Sequence, residues 1–111
     1  MAQKLTNYLK TYRKRACLTQ DEMAFLLGAI DGSKVSHYER FTRVPELPTA
    51  LAYEIIFGAQ TDQLFAGLYE GVQHQVRERA SVLVQRHESR LLTPASKRKL
   101  TALRNLISKD Q

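Results

Sequence analysis

Residue types that perform catalysis are sparse in this sequence. Cysteine occurs once, at Cys17, and histidine three times, at His37, His74 and His87, with no CxxC or HExxH spacing. His74 and His87 lie 13 residues apart on one predicted helix, more than three turns, so they cannot share a metal ion within a chain. No nucleophile–base pair is recognisable. The sequence therefore predicts a protein that is not an enzyme and that needs no cofactor or metal.

Hydrogen-bond donors are concentrated on one short predicted helix, whose apolar residues Val35 and Tyr38 face inward. Lysine and arginine can donate to phosphate or to O6 and N7 of guanine, and serine and histidine can bond to either group. The side chains that this helix presents to solvent are Lys34, Ser36, His37 and Arg40. The whole chain has 17 Lys plus Arg against 11 Asp plus Glu, a net charge of +6. An anionic partner is therefore favoured.

Two further helices are predicted before this one. Apolar side chains recur at three- and four-residue steps from Leu5 to Ala16, which predicts an amphipathic first helix. Thr19 followed by Glu22 is a capping-box signature, and it predicts a second helix that ends at Gly28.

The third helix is predicted to begin near Gly32 or Ser33, with Asp31 or Ser33 as its cap. The two prolines of "RVPELP" then predict an extended connection, and a fourth helix follows to Phe57. Two short helices joined by a tight turn let the second helix protrude, and the major groove of DNA admits a protruding helix.

The second half of the chain is predicted to be helical as well. "TDQLF" predicts a short helix capped by Thr61 or Asp62, and a long helix follows from residue 67 to about Leu92. A last helix is predicted after Thr93, its cap, with Pro94 in the first turn. Residues 1–66 and 67–111 are thus predicted to form a DNA-binding domain and a C-terminal extension. The apolar face that we expect to form a dimer interface consists of Val72, Val76, Ala80, Leu83, Leu100, Leu103 and Ile107.

The segments "LKTYRKRACLTQDEMAFLLG", "KVSHYER" and "RVPELPTALAYEIIFG" resemble the phage repressor and Cro type of helix-turn-helix, the xenobiotic-response-element family of bacterial regulators. The resemblance covers roughly residues 5–58. It implies an all-α, lambda-repressor-like helix-turn-helix bundle of four to five short helices, followed here by a C-terminal helical hairpin. It also implies a transcriptional regulator, with repression as the expected effect, that binds double-stranded DNA sequence-specifically.

The resemblance assigns roles to individual residues. Gln20 matches a glutamine that bonds to phosphate, and Arg13 and Glu39 match an ion pair that locks the helices together. Lys10 and Lys14 are either flanking phosphate contacts or members of a solvated helix face. Thr42 and Arg43 correspond to a loop that lies on the phosphate backbone. The predicted DNA-binding residues are Gln20, Gly32, Ser33, Lys34, Ser36, His37, Arg40, Thr42 and Arg43.

The sequence departs from the family pattern at three places. Gly28 and Val35 are seven positions apart where the family has six, so the turn between the second and third helices contains an insertion that can shift contacts by one residue. Phe41 and Cys17 each replace a glycine that is usual after a helix. Cys17 is otherwise expected to be a buried or half-buried filler, and not a reactive thiol.

A single motif of this size makes few base contacts, so a homodimer on a palindromic operator is expected. The chain has no membrane-length apolar run and no signal peptide, which predicts a cytoplasmic protein. No feature specifies a small-molecule effector. An alternative is a protein-interaction module, such as an antitoxin-like partner with a degenerate helix-turn-helix, which the altered turn and Phe41 keep open. RNA binding is less favoured because an aromatic stacking platform is missing.

Overall fold

A computed structural model describes residues 5–88 and 93–108 of the chain. These residues form seven helices and no strand, so the prediction of an all-α protein with a helix-turn-helix type of bundle is confirmed. The helices are α1 (Leu9–Arg15), α2 (Gln20–Leu27), α3 (Gly32–Glu39), α4 (Leu47–Phe57), α5 (Thr61–Leu64), α6 (Ala66–Glu88) and α7 (Pro94–Ser108).

Helix α1 is shorter than its apolar pattern predicts. It begins at Leu9, and Leu5 lies before it with 57% of its surface exposed. The reason is Asn7, whose side-chain oxygen accepts a hydrogen bond from the Leu9 backbone N–H at 3.1 Å. A buried asparagine that binds the backbone in this way favours a helix start over a continuing helix. Ala16, the other predicted end, is the C-cap of α1 and is exposed.

Helices α1, α2 and α3 all end in the same pair of backbone hydrogen bonds. After α1, the N–H groups of Cys17 and Leu18 donate to the carbonyls of Lys14 and Arg13, which is a Schellman motif. The residue in the left-handed conformation is Cys17 after α1 (φ 60°), Gly28 after α2 (φ 75°) and Phe41 after α3 (φ 57°). Two of these three helix ends therefore keep the glycine-type backbone without a glycine. Cys17 is exposed, so the prediction that it is a buried or half-buried filler is wrong.

The capping predictions for α2 and α3 are confirmed. Thr19 and Glu22 form the reciprocal bonds of a capping box at α2, and Asp31 caps α3 by accepting the Ser33 backbone N–H at 2.9 Å. Residues 28–31 join the two helices. The core beneath them is formed by buried apolar side chains from α1 to α5 and the segments beside them: Leu9, Met23, Ala24, Val35, Tyr38, Tyr53, Ala59, Leu64 and Phe65.

Helix α4 begins inside the proline segment, since Pro48 occupies its first turn and only the residues up to Glu46 are extended. It ends at Phe57, as predicted, with Gly58 as its C-cap. The predicted cap of α5 is wrong. The N-cap is Gln60, whose backbone N–H donates to the Gln63 side-chain oxygen at 3.2 Å, while Thr61 bonds to Glu54 of α4.

The chain divides into two compact units, Met1–Tyr69 and Glu70–Gln111, and the division falls inside α6, three residues beyond the predicted boundary at residue 66. In the second unit, α6 and α7 are joined by a hydrogen bond from Arg77 Nε to the Leu106 carbonyl at 3.1 Å. Thr93 caps α7 as predicted, accepting the Ser96 N–H at 3.1 Å. Leu92, the predicted end of the long helix, lies outside the described residues.

Part of the predicted dimer face is buried within the chain, and part of it is exposed. Ala80 and Leu100 are each 3% exposed, so one chain already covers them and they do not lie on the free surface as expected. Val72, Val76 and Leu83 remain 48%, 41% and 38% exposed. Among the described residues, no helix combines the length and the apolar character that crossing a bilayer would need.

Candidate nucleic-acid interface

Helix α3 turns one side to the core and the other to solvent, as its sequence predicts. Val35 is fully buried and Tyr38 is 8% exposed. On the opposite side, Ser33 and Lys34 are exposed, and Ser36 and His37 are half-buried. Arg40, the residue that ends the helix, is exposed as well. Of the six predicted DNA-binding residues at positions 32 to 40, five therefore reach the surface.

Gly32 is the exception, because it is buried and does not lie on the solvent-facing side of α3. Its backbone N–H donates to the Asp21 carboxylate at 2.9 Å. A Cβ at this position would lie 2.8 Å from the same oxygen and 3.1 Å from the backbone carbon of Gln20. Gly32 is thus a position of close approach between α3 and the first turn of α2. Its predicted role in DNA contact is replaced by a structural one.

A buried cluster around Glu39 fixes α3 against α1 and α2. Arg13 Nε and Nη2 donate to the two Glu39 carboxylate oxygens at 2.6 and 3.1 Å, a bidentate pair. Arg13 Nη1 donates to the Leu18 carbonyl at 2.9 Å, and Gln20 Nε2 donates to Glu39 Oε1 at 3.2 Å. The two charged side chains are 10% and 3% exposed. The geometry of the ion pair agrees with the role that the family resemblance implies.

The chemistry of this cluster restricts what Gln20 can do. The hydrogen bond to Glu39 raises the pKa of Arg13 above its ordinary value and outweighs the opposing effect of burial. Arg13 therefore stays charged, and the Glu39 oxygen that it holds accepts the hydrogen bond from Gln20, so the Gln20 amide presents its NH₂ group to Glu39. One Gln20 N–H is used in this way. The second N–H is the donor that remains available for a phosphate oxygen.

His37 and Thr42 form a polar pair across the end of α3. His37 Nδ1 lies 2.7 Å from Thr42 Oγ1, and the Thr42 hydroxyl also lies 3.3 Å from the His37 carbonyl, to which it donates. Both bonds form together only if Nδ1 has the proton and donates to the hydroxyl oxygen. In the neutral ring, Nε2 is then an acceptor, and it becomes a donor when the ring is protonated. A cytosine or adenine amino group suits the first form, and a guanine or phosphate oxygen suits the second.

Five of the nine predicted DNA-binding residues line two hollows of the first unit. One hollow, of about 540 Å³, is formed by the turn between α2 and α3, by the first turns of α3 and by the loop after it. Its polar side chains are Asp31, Ser33, Lys34, His37 and Arg43. The donors Lys34 and His37 of α3 and Arg43 of the following loop thus meet on one open surface.

Arg40 belongs to the second hollow. It lies there with Lys10 and Lys14 of α1, next to Asn7 and Phe41. The packing of α1 against α3 explains this grouping, because the Asn7 side chain donates to the Tyr38 carbonyl at 3.1 Å. Three cations in one hollow favour contact with the phosphate backbone over contact with bases. Lys10 and Lys14, which the sequence left open as phosphate contacts or a solvated face, therefore share a surface with a reading-helix residue.

Asp31 places a negative charge beside the predicted DNA-binding residues on the solvent-facing side of α3. Hydrogen bonds from the Ser33 hydroxyl and backbone N–H lower the pKa of its carboxyl below the ordinary value. The charge caps α3 favourably, because helix N-termini attract anions. It would also repel a phosphate that approached the start of the helix directly.

Sequence reasoning did not identify two residues of this surface. Ile30 lies in the first hollow and is 102% exposed, and Asn7 joins α1 to the end of α3. An isoleucine between Gly28 and an N-cap aspartate is a usable signal, since large aliphatic residues are unusual in capped turns. Asn7 gives no comparable signal, because its partner is 31 residues away.

Comparison of the chain with protein-family models, curated proteins and solved structures gives no match. Within residues 5–88 and 93–108, no three His, Cys, Asp or Glu side chains converge as metal ligands would.

Proposed function

We propose that the protein is a transcriptional regulator, acting by repression, that binds double-stranded DNA sequence-specifically as a homodimer in the cytoplasm. Helix α3 lies in the major groove in this proposal. The observation that supports it best is the donor surface that Lys34 and His37 of α3 form with Arg43 of the following loop, on a helix that the Arg13–Glu39 pair holds against α1. A rigid helix with free donors is what direct base readout requires.

The contacts separate into two kinds. Lys34, Ser36 and His37 lie in the first and middle turns of α3, where they would meet base edges. The loop residue Arg43 and the second N–H of Gln20 are placed to meet phosphates. Three further cations line the second hollow, where they would contact the phosphate backbone: Lys10, Lys14 and Arg40. The Schellman turn after α3 supports the loop contacts, because it directs residues 42 and 43 back along the helix.

A homodimer would double these contacts across a palindrome with half-sites about one helical turn apart. The apolar surface that Val72, Val76 and Leu83 leave exposed on α6 supports this part of the proposal. Light scattering of the full chain and of a chain without residues 93–111 measures the contribution of α7. An unchanged oligomer after the deletion would exclude α7 from the interface.

The decisive experiment is selection of bound sequences from a random duplex pool by the full chain. The expected result is a palindromic consensus whose two half-sites are centred about one helical turn apart. No enrichment after repeated rounds would contradict sequence-specific binding.

A second experiment uses charge-matched variants. Lys34→Ala with Arg43→Ala removes two donors of the first hollow, and Arg98→Ala with Lys99→Ala removes the same charge from the exposed side of α7. Affinity for random duplex DNA should fall steeply with salt in the wild type, since phosphate contacts release counterions. The first variant should flatten this slope by about 1 for each phosphate that it no longer neutralises. Equal effects of both variants would point to general charge and not to this surface.

The alternative is a protein-interaction module whose helix-turn-helix does not bind DNA. An apolar row on α4 favours it, since Leu47, Leu51 and Ile55 are 70%, 46% and 83% exposed at four-residue spacing. A flat salt response, with Lys34→Ala plus Arg43→Ala leaving duplex affinity unchanged, would favour this alternative over DNA binding.

A further inference from the structure

Ile30 is the most exposed large apolar side chain of the first unit. It lies in the turn between α2 and α3, next to Asp31, the N-cap of α3, and its relative exposure is 102%. An aliphatic side chain in this state makes no packing contribution to the fold. Its apolar surface is therefore available for contact with another molecule.

The position of Ile30 puts it beside the donors of the proposed reading surface. It borders the same hollow as Ser33, Lys34, His37 and Arg43. Residues 33, 34 and 37 follow the spacing that places side chains along one side of α3, and the turn before the helix brings Ile30 to the same hollow. The hollow therefore combines one aliphatic group with several hydrogen-bond donors.

Thymine is the base that matches this combination. In the major groove it presents the C5 methyl group beside the O4 acceptor, whereas cytosine presents an amino donor in place of O4 and has no methyl. A methyl group can pack on Ile30, and Lys34 can donate to O4. The Asp31 carboxylate next to Ile30 disfavours a phosphate at this place, so a base edge is the better occupant.

We infer that Ile30 packs against a thymine methyl group in each half-site and makes the operator selective for thymine at that position. This inference rests on the proposed function, because it requires α3 to enter the major groove. It adds a residue of the turn to the set that determines sequence preference, next to the donors on the helix.

The test replaces thymine by deoxyuridine, which removes the methyl group and leaves the hydrogen-bonding edge unchanged. Each thymine of the duplex selected by the wild-type protein is replaced in turn, symmetrically in both half-sites. For one position, we expect the wild type to lose about three- to fivefold in affinity per half-site, the effect of burying one methyl group. Ile30→Ala should bind the thymine and deoxyuridine duplexes equally at that position.

Ile55→Ala is the matched control, since Ile55 is 83% exposed on α4 and lies outside this hollow. It should keep the wild-type response to deoxyuridine. Both variants change an exposed side chain, so neither is expected to unfold the protein, and thermal unfolding checks this.

The outcomes are distinguishable. A consensus without an invariant thymine, or a deoxyuridine effect that Ile30→Ala leaves intact, would overturn the role of Ile30 while DNA binding itself stands. Failure of the wild type to select any sequence would overturn the proposed function and this inference together. Loss of the deoxyuridine effect in Ile30→Ala alone supports the inference.

Discussion

The two units of the chain are both helical, but different interactions stabilise them. In Met1–Tyr69, five large side chains are completely buried: Tyr53, Leu9, Met23, Leu64 and Val35. A buried bidentate ion pair also joins α1 to α3. In the described part of Glu70–Gln111, the apolar side chains that reach burial are Ala80, Val84 and Leu100. The contact between the His74 imidazole and the Glu78 carboxylate is exposed there, with side chains 75% and 67% accessible.

The comparison shows that the same amphipathic pattern can lead to two kinds of packing. In both units the pattern marks an apolar face, but it does not say what covers that face. In the first unit, other helices of the same chain cover it. In the second, Val72, Val76 and Leu83 stay partly exposed, and under the proposed homodimer a second copy would cover them. Stability of the first unit should therefore be a property of one chain, whereas that of the second should depend on protein concentration.

The largest expected effect tests the ion pair of the first unit. Glu39→Ala should lower the free energy of unfolding by about 3–5 kcal/mol, because it leaves the Arg13 guanidinium buried without its partner. Urea denaturation measures the change. The control is Glu78→Ala, which breaks an exposed pair on α6 and should cost less than about 0.5 kcal/mol. Similar losses in both variants would contradict the contrast between the units.

The next effect concerns the core of the second unit. Leu100→Ala removes a side chain that is 3% exposed and should cost about 2–3 kcal/mol, at the low end for leucine because a thin core can collapse around the gap. Hydrogen exchange of the α7 amides locates the loss. Leu106→Ala, at a position 42% exposed, should change exchange much less. Equal exchange in both variants would mean that burial of Leu100 adds no stability.

A smaller effect of opposite sign is expected at the end of α1. Cys17→Gly should stabilise the protein by about 1 kcal/mol, because the left-handed backbone at φ 60° is strained for residues with a Cβ. Ala16→Gly is the control, since Ala16 has φ −81° and glycine there should only destabilise. Thermal unfolding compares the two. A destabilised Cys17→Gly would show that the thiol makes a compensating contact.

The smallest effect tests the centre of the first core. The Tyr53 hydroxyl is buried and has no hydrogen-bond partner among the described residues. Tyr53→Phe should therefore leave stability unchanged or raise it by up to about 1 kcal/mol. Chemical denaturation at neutral pH measures this, and a clear loss of stability would show that the hydroxyl has a partner in solution.

The same residue predicts a pH dependence. Burial, followed by the nearby Glu39 charge, raises the pKa of Tyr53 above its ordinary value of 10.0. Above pH 10 the unfolded chain loses this proton while the folded protein keeps it, so the stability contributed by the neutral phenol falls as pH rises. Tyr53→Phe should have a shallower loss of stability above pH 10 than the wild type. Parallel curves would contradict the assigned shift.

Local signals in the sequence are sufficient for the helices and most of their ends. The Thr19 capping box and the Asp31 cap depend on residues within one turn, and both are confirmed. The Arg13–Glu39 pair, 26 residues apart, is expected only from the family resemblance. Non-local packing explains the failures. Gly32 is buried because the first turn of α2 lies against it, whereas helical spacing alone places it on the surface.

The types of residue in the candidate interface can be predicted from the sequence, but their arrangement in space cannot. The basic residues named from the sequence do reach the surface, yet their division between two hollows depends on the packing of α1 against α3. Gln60 is not predicted as the cap of α5 because glutamine is not a common capping residue. Ile30 belongs to the inserted turn in the sequence, and its exposure beside Lys34 is visible only in three dimensions.

The two ends of the first unit are hydrogen-bonded to each other. The Leu5 carbonyl accepts the Gly67 N–H at 2.8 Å, and the Tyr8 N–H donates to the Leu64 carbonyl at 2.7 Å. A Cβ at Gly67 would clash with the Leu5 carbonyl, so this contact needs glycine. Adjacent ends suit a segment to insertion into a surface loop of an unrelated protein. The first unit could be transplanted in this way by two short connections, with α3 at the middle of the inserted segment and far in sequence from both joints.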